Sequence, residues 1–270
     1  MHPFVSNHEK AILSHFGNDP ARCIMDAPMK GKGVFVLFTN RCGSNYFVDL
    51  MNQQPTVKLH HEVFNADMVA SRTKSQKLKT FSEYIAFLRS QKDAQAWGAK
   101  VGLVQLDMLH RFGLFQAFEE GSHIIWLKRK DIVAQAVSHF IAAETRQWTS
   151  FQKEAAPVPA YDFRAIDSYV QAITRHNAQA EMTLGVAALN FTTLWYEELL
   201  EQPNIQMRRI MAFLGEPFEQ LKPMRTMHKR QEAPVKADYA ARFRTDAKTQ
   251  MALDGTAYGA GSPIWKLLSK

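Results

Sequence analysis

Apolar residues gather in short runs along this chain, and between the runs they recur at a spacing of three or four. The first run, Gly33 to Phe38 (GVFVLF), is apolar on both faces and stops at the polar loop Thr39 to Ser44, the pattern of a buried strand that empties into a loop. The runs Gly98 to Val104 (GAKVGLV), His123 to Leu127 (HIIWL) and Val186 to Leu194 (VAALNFTTL) read the same way. Between them the spacing is helical. Asp131 is placed to cap a helix with apolar positions Val133, Ala136, Val137, Phe140 and Ile141, and Asp162 precedes another through Ile166, Tyr169, Val170 and Ile173. A third starts with Pro203 in its first turn, continues through Met207, Ile210, Met211 and Leu214, and ends at Gly215 with Pro217 beyond as a stop. Four buried strands alternating with helices predict an α/β fold of three layers, a mostly parallel central sheet flanked by helices. No repeat, low-complexity tract or linker-like stretch interrupts residues 1–270, so a single domain is expected.

Sheets of this kind bind ligands at the carboxyl ends of their strands, which directs attention to Thr39-Asn40-Arg41-Cys42-Gly43-Ser44-Asn45-Tyr46. A strand that turns sharply into a helix presents unpaired backbone N–H groups, and Gly43 lets an anion approach them closely. Arg41 adds a full positive charge, while Ser44 and Asn45 supply side-chain donors. The loop reads as a nucleotide-phosphate cradle; on its own it is equally compatible with an ordinary strand-to-helix turn carrying a surface arginine. The pattern G-x-x-x-x-G-K-[ST] is absent, and with it an evident magnesium ligand, which disfavours an ATP-dependent kinase. Lys128-Arg129-Lys130 closes a later strand, so Lys128 or Arg129 can hold a second phosphate, with the Ser138 hydroxyl close to two helical turns further on; Lys130 reads as a solvated charge. In His60-His61-Glu62-Val63-Phe64-Asn65 a carboxylate near an anion loop suits a proton-handling task. Adjacent histidines point apart and no third ligand is signalled, so a metal site is not expected.

Composition narrows the partners. With 46% apolar and 22% charged residues the chain buries enough surface to fold, which excludes disorder. Its 33 Lys and Arg against 26 Asp and Glu give +7, a balance that favours polyanionic partners. Nucleic acid is disfavoured because the basic residues are dispersed without aromatic interleaving. Arg72, Lys74, Lys77 and Lys79 read as a solvated loop. Cys23 and Cys42 alone make neither a disulfide framework nor a zinc site. With no secretion signal, and no apolar run near the roughly 20 residues of a transmembrane segment, a cytoplasmic location is expected. The apolar and aromatic residues between Phe140 and Phe163 are candidates for a homodimer interface.

Taken in order, several segments resemble the sulfotransferases that use 3′-phosphoadenosine-5′-phosphosulfate (PAPS), and most of all the bacterial trehalose 2-sulfotransferase-like family. TNRCGSNYF resembles its 5′-phosphosulfate loop, which implies donor binding by Arg41, Cys42, Gly43, Ser44, Asn45 and Tyr46. HHEVFN resembles the segment carrying the catalytic glutamate, which places the general base at Glu62. WGAKVGLVQ resembles the following strand, with Lys100 as its lysine. IIWLKRKDIVAQAVSHFIAAETRQW resembles the 3′-phosphate segment, with Lys128, Arg129, Ser138 and a trailing aromatic, Trp148. LWYEELLEQPNIQMRRIMAFLGEP resembles a late strand and helix, and HKRQEAPVKADYAARFR the closing segment, which makes Arg230 a further phosphate candidate.

The resemblance implies a P-loop-like nucleotide-binding topology, PAPS as donor and adenosine 3′,5′-bisphosphate as product, without a metal. It implies in-line transfer to a hydroxyl of a carbohydrate or glycolipid, with His61, Lys100 and Trp148 on the acceptor side and Arg41 stabilising the departing phosphate. A non-carbohydrate alcohol is the alternative acceptor. Two departures stand out. Lys128 and Arg129 replace a frequent pair of arginines, and Cys42 occupies a place where serine is common, where it reads as a packing residue and not a nucleophile.

Overall fold

The computed structural model describes residues 6–90, 94–148, 156–223 and 234–254. In chain order the elements are α1 (Asn7–His15), β1 (Lys32–Phe38), α2 (Ser44–Met51), β2 (Val57–His60), α3 (Ala66–Gln76), α4 (Phe81–Arg89), β3 (Ala96–Val101), α5 (Leu103–Arg111), β4 (Ser122–Lys128), α6 (Ile132–Thr145), α7 (Phe163–Val186), β5 (Phe191–Trp195), α8 (Tyr196–Glu201), α9 (Pro203–Leu214) and α10 (Pro234–Asp254).

Two compact units result. The first, Met1–Lys130 with His176–Thr226, holds a sheet ordered β2-β3-β1-β4-β5 in which every neighbouring pair is parallel. Alternation along the strands sorts the core into two layers. Phe35, Leu37, Trp97, Ala99, Ile124 and Trp126 pack with Ile12 of α1, Val69 of α3, Phe81 of α4 and Leu109 of α5. Val34, Val36, Val57, Leu59, Ile125, Leu127 and Leu194 pack with Phe47 and Met51 of α2, Leu199 of α8 and Ile210 of α9. Each Val, Leu, Ile, Phe or Met among them contributes about 1.5–3 kcal/mol of burial. Burial on both faces is why the strands read as unbroken apolar runs, and the expected three-layer α/β architecture is the one found. The chain leaves central β1 for β2 and β3 on one side, then crosses to β4 and β5 on the other, so the carboxyl ends of β1 and β4 flank the topological switch point.

Four stretches differ from the sequence reading. The run Gly98 to Val104 is strand only as far as Val101; Gly102 caps α5 and leaves Val104 half exposed. The run Val186 to Leu194 is divided, because α7 continues to Val186 and Ala188 closes it in the left-handed region (φ 47°), with Leu189 N–H bonded to Leu184 O, before β5 begins at Phe191. Strand β2 carries only Val57 and Leu59 as inward apolar residues, too short a pattern to stand out. Arg72 and Lys74, expected in a loop, lie on α3, whose buried positions are Val69 and Thr73.

The second unit, Asp131–Arg175 with Met227–Lys270, has its own core, in which Ala136, Val137, Phe140 and Ile141 of α6 meet Ile166 and Ile173 of α7 and Ala240 and Phe243 of α10. Asp131 and Asp162 act as the expected caps, accepting the N–H groups of Ala134 (2.9 Å) and Ala165 (3.0 Å). Phe140 and Ile141, part of the stretch expected at an interface between copies, are buried in this core, while Trp148 and Val158 are exposed. Among the described residues no helix is long and apolar enough to cross a membrane.

Candidate active site

After Phe38 the chain turns into α2 through a loop with two residues in the left-handed region, Arg41 (φ 66°) and Gly43 (φ 90°). Gly43 caps α2 without a side chain to occupy the first-turn N–H groups, which leaves them oriented towards an incoming anion. A Cβ at Gly43 would lie 2.2 Å from the Tyr196 ring. Both the backbone angle and the packing therefore demand glycine. Gly43→Ala is expected to cost about 2–4 kcal/mol of stability, read as a fall in Tm by calorimetry.

The same Tyr196 ring faces Arg129, whose guanidinium carbon is 5.5 Å from its centroid. Arg129 Nη1 donates to the Arg41 carbonyl at 3.4 Å, and its Nε lies 3.6 Å from Glu197 Oε1. Lys128 behaves differently: its Nζ sits over the rings of Trp126 (4.0 Å) and Trp195 (4.9 Å). Of the two basic candidates after β4, the geometry thus brings Arg129 to the loop. Lys130 donates its backbone N–H to Glu197 and pairs its Nζ with Glu198 at 2.8 Å. Burial, followed by the charge of Arg129, pushes the Arg41 guanidinium below its ordinary pKa, with Tyr196 acting the other way. An anion settling here would reverse that unfavourable balance.

The remaining loop residues serve the cradle unequally. Cys42 is fully buried in the layer of α2, and burial pushes its thiol up to about 11, so only its backbone is on offer. Ser44 is buried at the start of α2. Tyr46 packs against the α2 layer, and burial raises its phenol.

A second group of side chains stands beyond β2. The two histidines separate as expected of neighbours in an extended segment. His60 is buried, and its Nε2 accepts from Trp97 Nε1 at 3.2 Å. Burial above all, then the charges of Lys58 and Arg72, lowers its pKa to about 4, so it is neutral and structural. His61 reaches Asn45 Oδ1 with Nδ1 (3.3 Å) and Asp49 Oδ1 with Nε2 (3.4 Å). Glu62 is 45% exposed and accepts from Lys100 Nζ at 2.7 Å; Lys100 is 3% exposed and lies over the Phe38 ring at 4.7 Å. The Lys100 ammonium also donates to Asn45 Oδ1 at 2.5 Å, so Asn45 links the anion loop to the carboxylate. Burial would raise the pKa of Glu62, but the charge and hydrogen bond of Lys100, with a bond from Asn65, outweigh it and hold the carboxyl below the usual range.

These groups line the carboxyl edge of the sheet in strand order: Glu62 after β2, Lys100 at the end of β3, the Arg41 loop after β1, Arg129 after β4 and Tyr196 after β5. One end suits an anion and the other can receive a proton from a hydroxyl. Ser138 is buried on α6 in the second unit. Trp148, just past α6, is exposed and edge-on to His139, with ring centroids 5.7 Å apart. Arg230 lies outside the described residues. Among the described residues no cluster of three or more His, Cys, Asp or Glu is arranged to hold a metal ion. The sequence reading did not single out Tyr196, Glu197, Asn65 or Gln105. For Gln105 a signal existed, the capping spacing from Gly102 to Gln105.

Residues 107–246 match the family model of the Stf0 sulphotransferases, a span that includes Arg129, Ser138 and Trp148. Nodulation protein H of Rhizobium meliloti (strain 1021) is 25% identical over 209 residues, covering 74% of this chain and 84% of its own length. A second Nodulation protein H of Rhizobium meliloti is 23% identical over 209 residues, with the same coverage. Of solved structures, the sulfotransferase domain from the Synechococcus PCC 7002 olefin synthase aligns with a TM-score of 0.50 at 14% identity, covering 82% of this chain and 90% of that one, a likeness of fold.

Proposed function

The chain belongs to the Stf0 sulphotransferase family and is a sulfotransferase, and from that premise we propose that it moves a sulfuryl group from PAPS to a hydroxyl of a carbohydrate or glycolipid, with Glu62 as general base. The observation that carries this reading is the meeting of two arginines at one corner of the sheet edge, Arg129 within 3.4 Å of the Arg41 carbonyl. Two like charges held together raise the energy of the ligand-free site and suit a ligand with several negative charges.

Arg41, the N–H groups at the start of α2 and the Ser44 hydroxyl hold the phosphosulfate. Arg129 takes the 3′-phosphate. The acceptor hydroxyl loses its proton to Glu62 as its oxygen forms a bond to sulfur. The bond from sulfur to the phosphate oxygen breaks, and adenosine 3′,5′-bisphosphate leaves. Arg41 meets the charge that grows on that phosphate, the kind of placed donor worth about 3 kcal/mol in a transition state. Lys100 keeps Glu62 ionised and, through Asn45, in register with the loop. Positive charge comes from side chains throughout, so turnover is expected to persist in EDTA.

Calorimetry tests the donor half: adenosine 3′,5′-bisphosphate is expected to bind in EDTA, and absence of heat at micromolar protein would remove the proposal. A panel of glycans, glycolipids and simple alcohols with radiolabelled donor tests the acceptor half, and labelling of the simple alcohols alone would overturn the carbohydrate assignment.

A further inference from the structure

Both oxygens of the Glu62 carboxylate are engaged within the protein: Oε1 by Lys100 and Oε2 by Asn65 Nδ2, each at 2.7 Å. Asn65 is the N-cap of α3, a position where an asparagine ordinarily turns its oxygen onto the first N–H groups of its helix. Here its side chain makes no capping bond. Its Oδ1 accepts instead from Gln105 Nε2 at 2.7 Å, and Gln105 Oε1 accepts from the Gly102 N–H at 2.9 Å.

The direction of this relay is set at its far end, because a backbone N–H can only donate. The Gly102 N–H requires the oxygen of Gln105, which turns the amide nitrogen of Gln105 to Asn65. Asn65 must then present oxygen to Gln105 and nitrogen to Glu62. Gln105 is buried, so water competes poorly for its amide. A carboxylate has about four lone-pair positions; two are taken, and the half-exposed side chain keeps others for an acceptor hydroxyl.

Resting on the assignment of Glu62 as the base, we propose that Asn65 and Gln105 are positioning residues, forming a relay anchored on the Gly102 N–H that aims the Glu62 carboxylate for proton transfer. The turn between β3 and α5 thereby sets the orientation of a group that follows β2.

Two variants test this. Gln105→Glu keeps the size but offers an oxygen to Asn65, so the Asn65 amide must turn its own oxygen towards Glu62. Asn65→Ala removes the donor outright. Each is expected to lower kcat about tenfold with the KM for donor and the affinity for adenosine 3′,5′-bisphosphate unchanged. Each should move the acid limb of the pH–kcat profile upwards, since a carboxylate that loses a donor ionises less readily. In a Glu62→Gln background the same changes should alter kcat by less than about twofold, because a missing base has no orientation to lose. Parent-like kcat and pH profile in both single variants, with Glu62→Gln impaired, would overturn the relay and leave the base in place. Equal losses in both backgrounds would make the two residues merely structural and overturn it too. A fully active Glu62→Gln would remove the base assignment and the relay with it. Should Asn65→Ala fail to fold, the isosteric Gln105→Glu still decides.

Discussion

Arg41→Ala is expected to lose most donor affinity and turnover while melting at the same temperature as the parent protein or higher. Both halves follow from one fact, that burial and the neighbouring Arg129 make the site unfavourable for a guanidinium when no anion is present. Folding places the charge there against its preference, so removing it relieves the folded state. The backbone adds no penalty, because arginine already carries a Cβ in the left-handed region and alanine inherits the same angle. With a phosphosulfate bound the balance reverses. Losing one charge-assisted contact weakens adenosine 3′,5′-bisphosphate binding by roughly 10- to 100-fold, and losing it in the transition state lowers kcat/KM by about 10²–10³. Arg41→Lys should fall between the two, since it restores the charge without the planar fork. Calorimetric titration and thermal melting on the same samples are the measurement. Unchanged affinity combined with a lower Tm would make Arg41 a structural residue.

The candidate site is legible in the sequence where it coincides with a local pattern. The loop from Thr39 to Tyr46 is contiguous, and the strand before it is buried on both faces, so Gly33 to Phe38 announced it. Asp131, Asp162 and Pro203 mark helix starts through short-range capping rules, and the helices begin there. What stayed hidden is long-range. Nothing local to Lys128 and Arg129 tells which one turns to the loop; the choice depends on Trp126 and Trp195, which hold Lys128, and on Tyr196 from another strand's end. Glu62 was legible as a carboxylate near an anion loop, whereas its partners Lys100, Asn65 and Gln105 come from β3, α3 and α5 and meet only in three dimensions. Strand β2, which carries Glu62 to the edge, has too few apolar residues to register as a pattern. The long-run misreadings share a cause: in Gly98 to Val104 and in Val186 to Leu194 one apolar stretch serves both a strand and the end of a helix.

Glu62→Gln is expected to lower kcat by about 10²–10⁴, the usual worth of a placed general base, while adenosine 3′,5′-bisphosphate binds as tightly as before. The amide keeps an oxygen for Lys100 but sets its NH₂ against the Nδ2 of Asn65, a local conflict that leaves the Arg41 loop untouched. The pH dependence gives an independent reading. In the parent protein the Glu62 carboxyl titrates below the ordinary carboxylate range, because Lys100 and Asn65 overcome the effect of burial. The stability that its ionised form contributes is therefore complete above the unfolded carboxylate value, near 4.3, and is lost only as pH falls through the lower folded value. Activity should follow the same sign, holding level from pH 7 to about 5 and failing only in stronger acid. Lys100→Met deletes both the charge and the bond, and burial then governs, so the acid limb should move upwards, to or beyond the ordinary carboxylate range. A base of such low proton affinity can still act, because the acceptor hydroxyl becomes strongly acidic only as its oxygen bonds to sulfur, and the proton transfers late. An acid limb that stays in place in Lys100→Met would show that the titrating group is not Glu62.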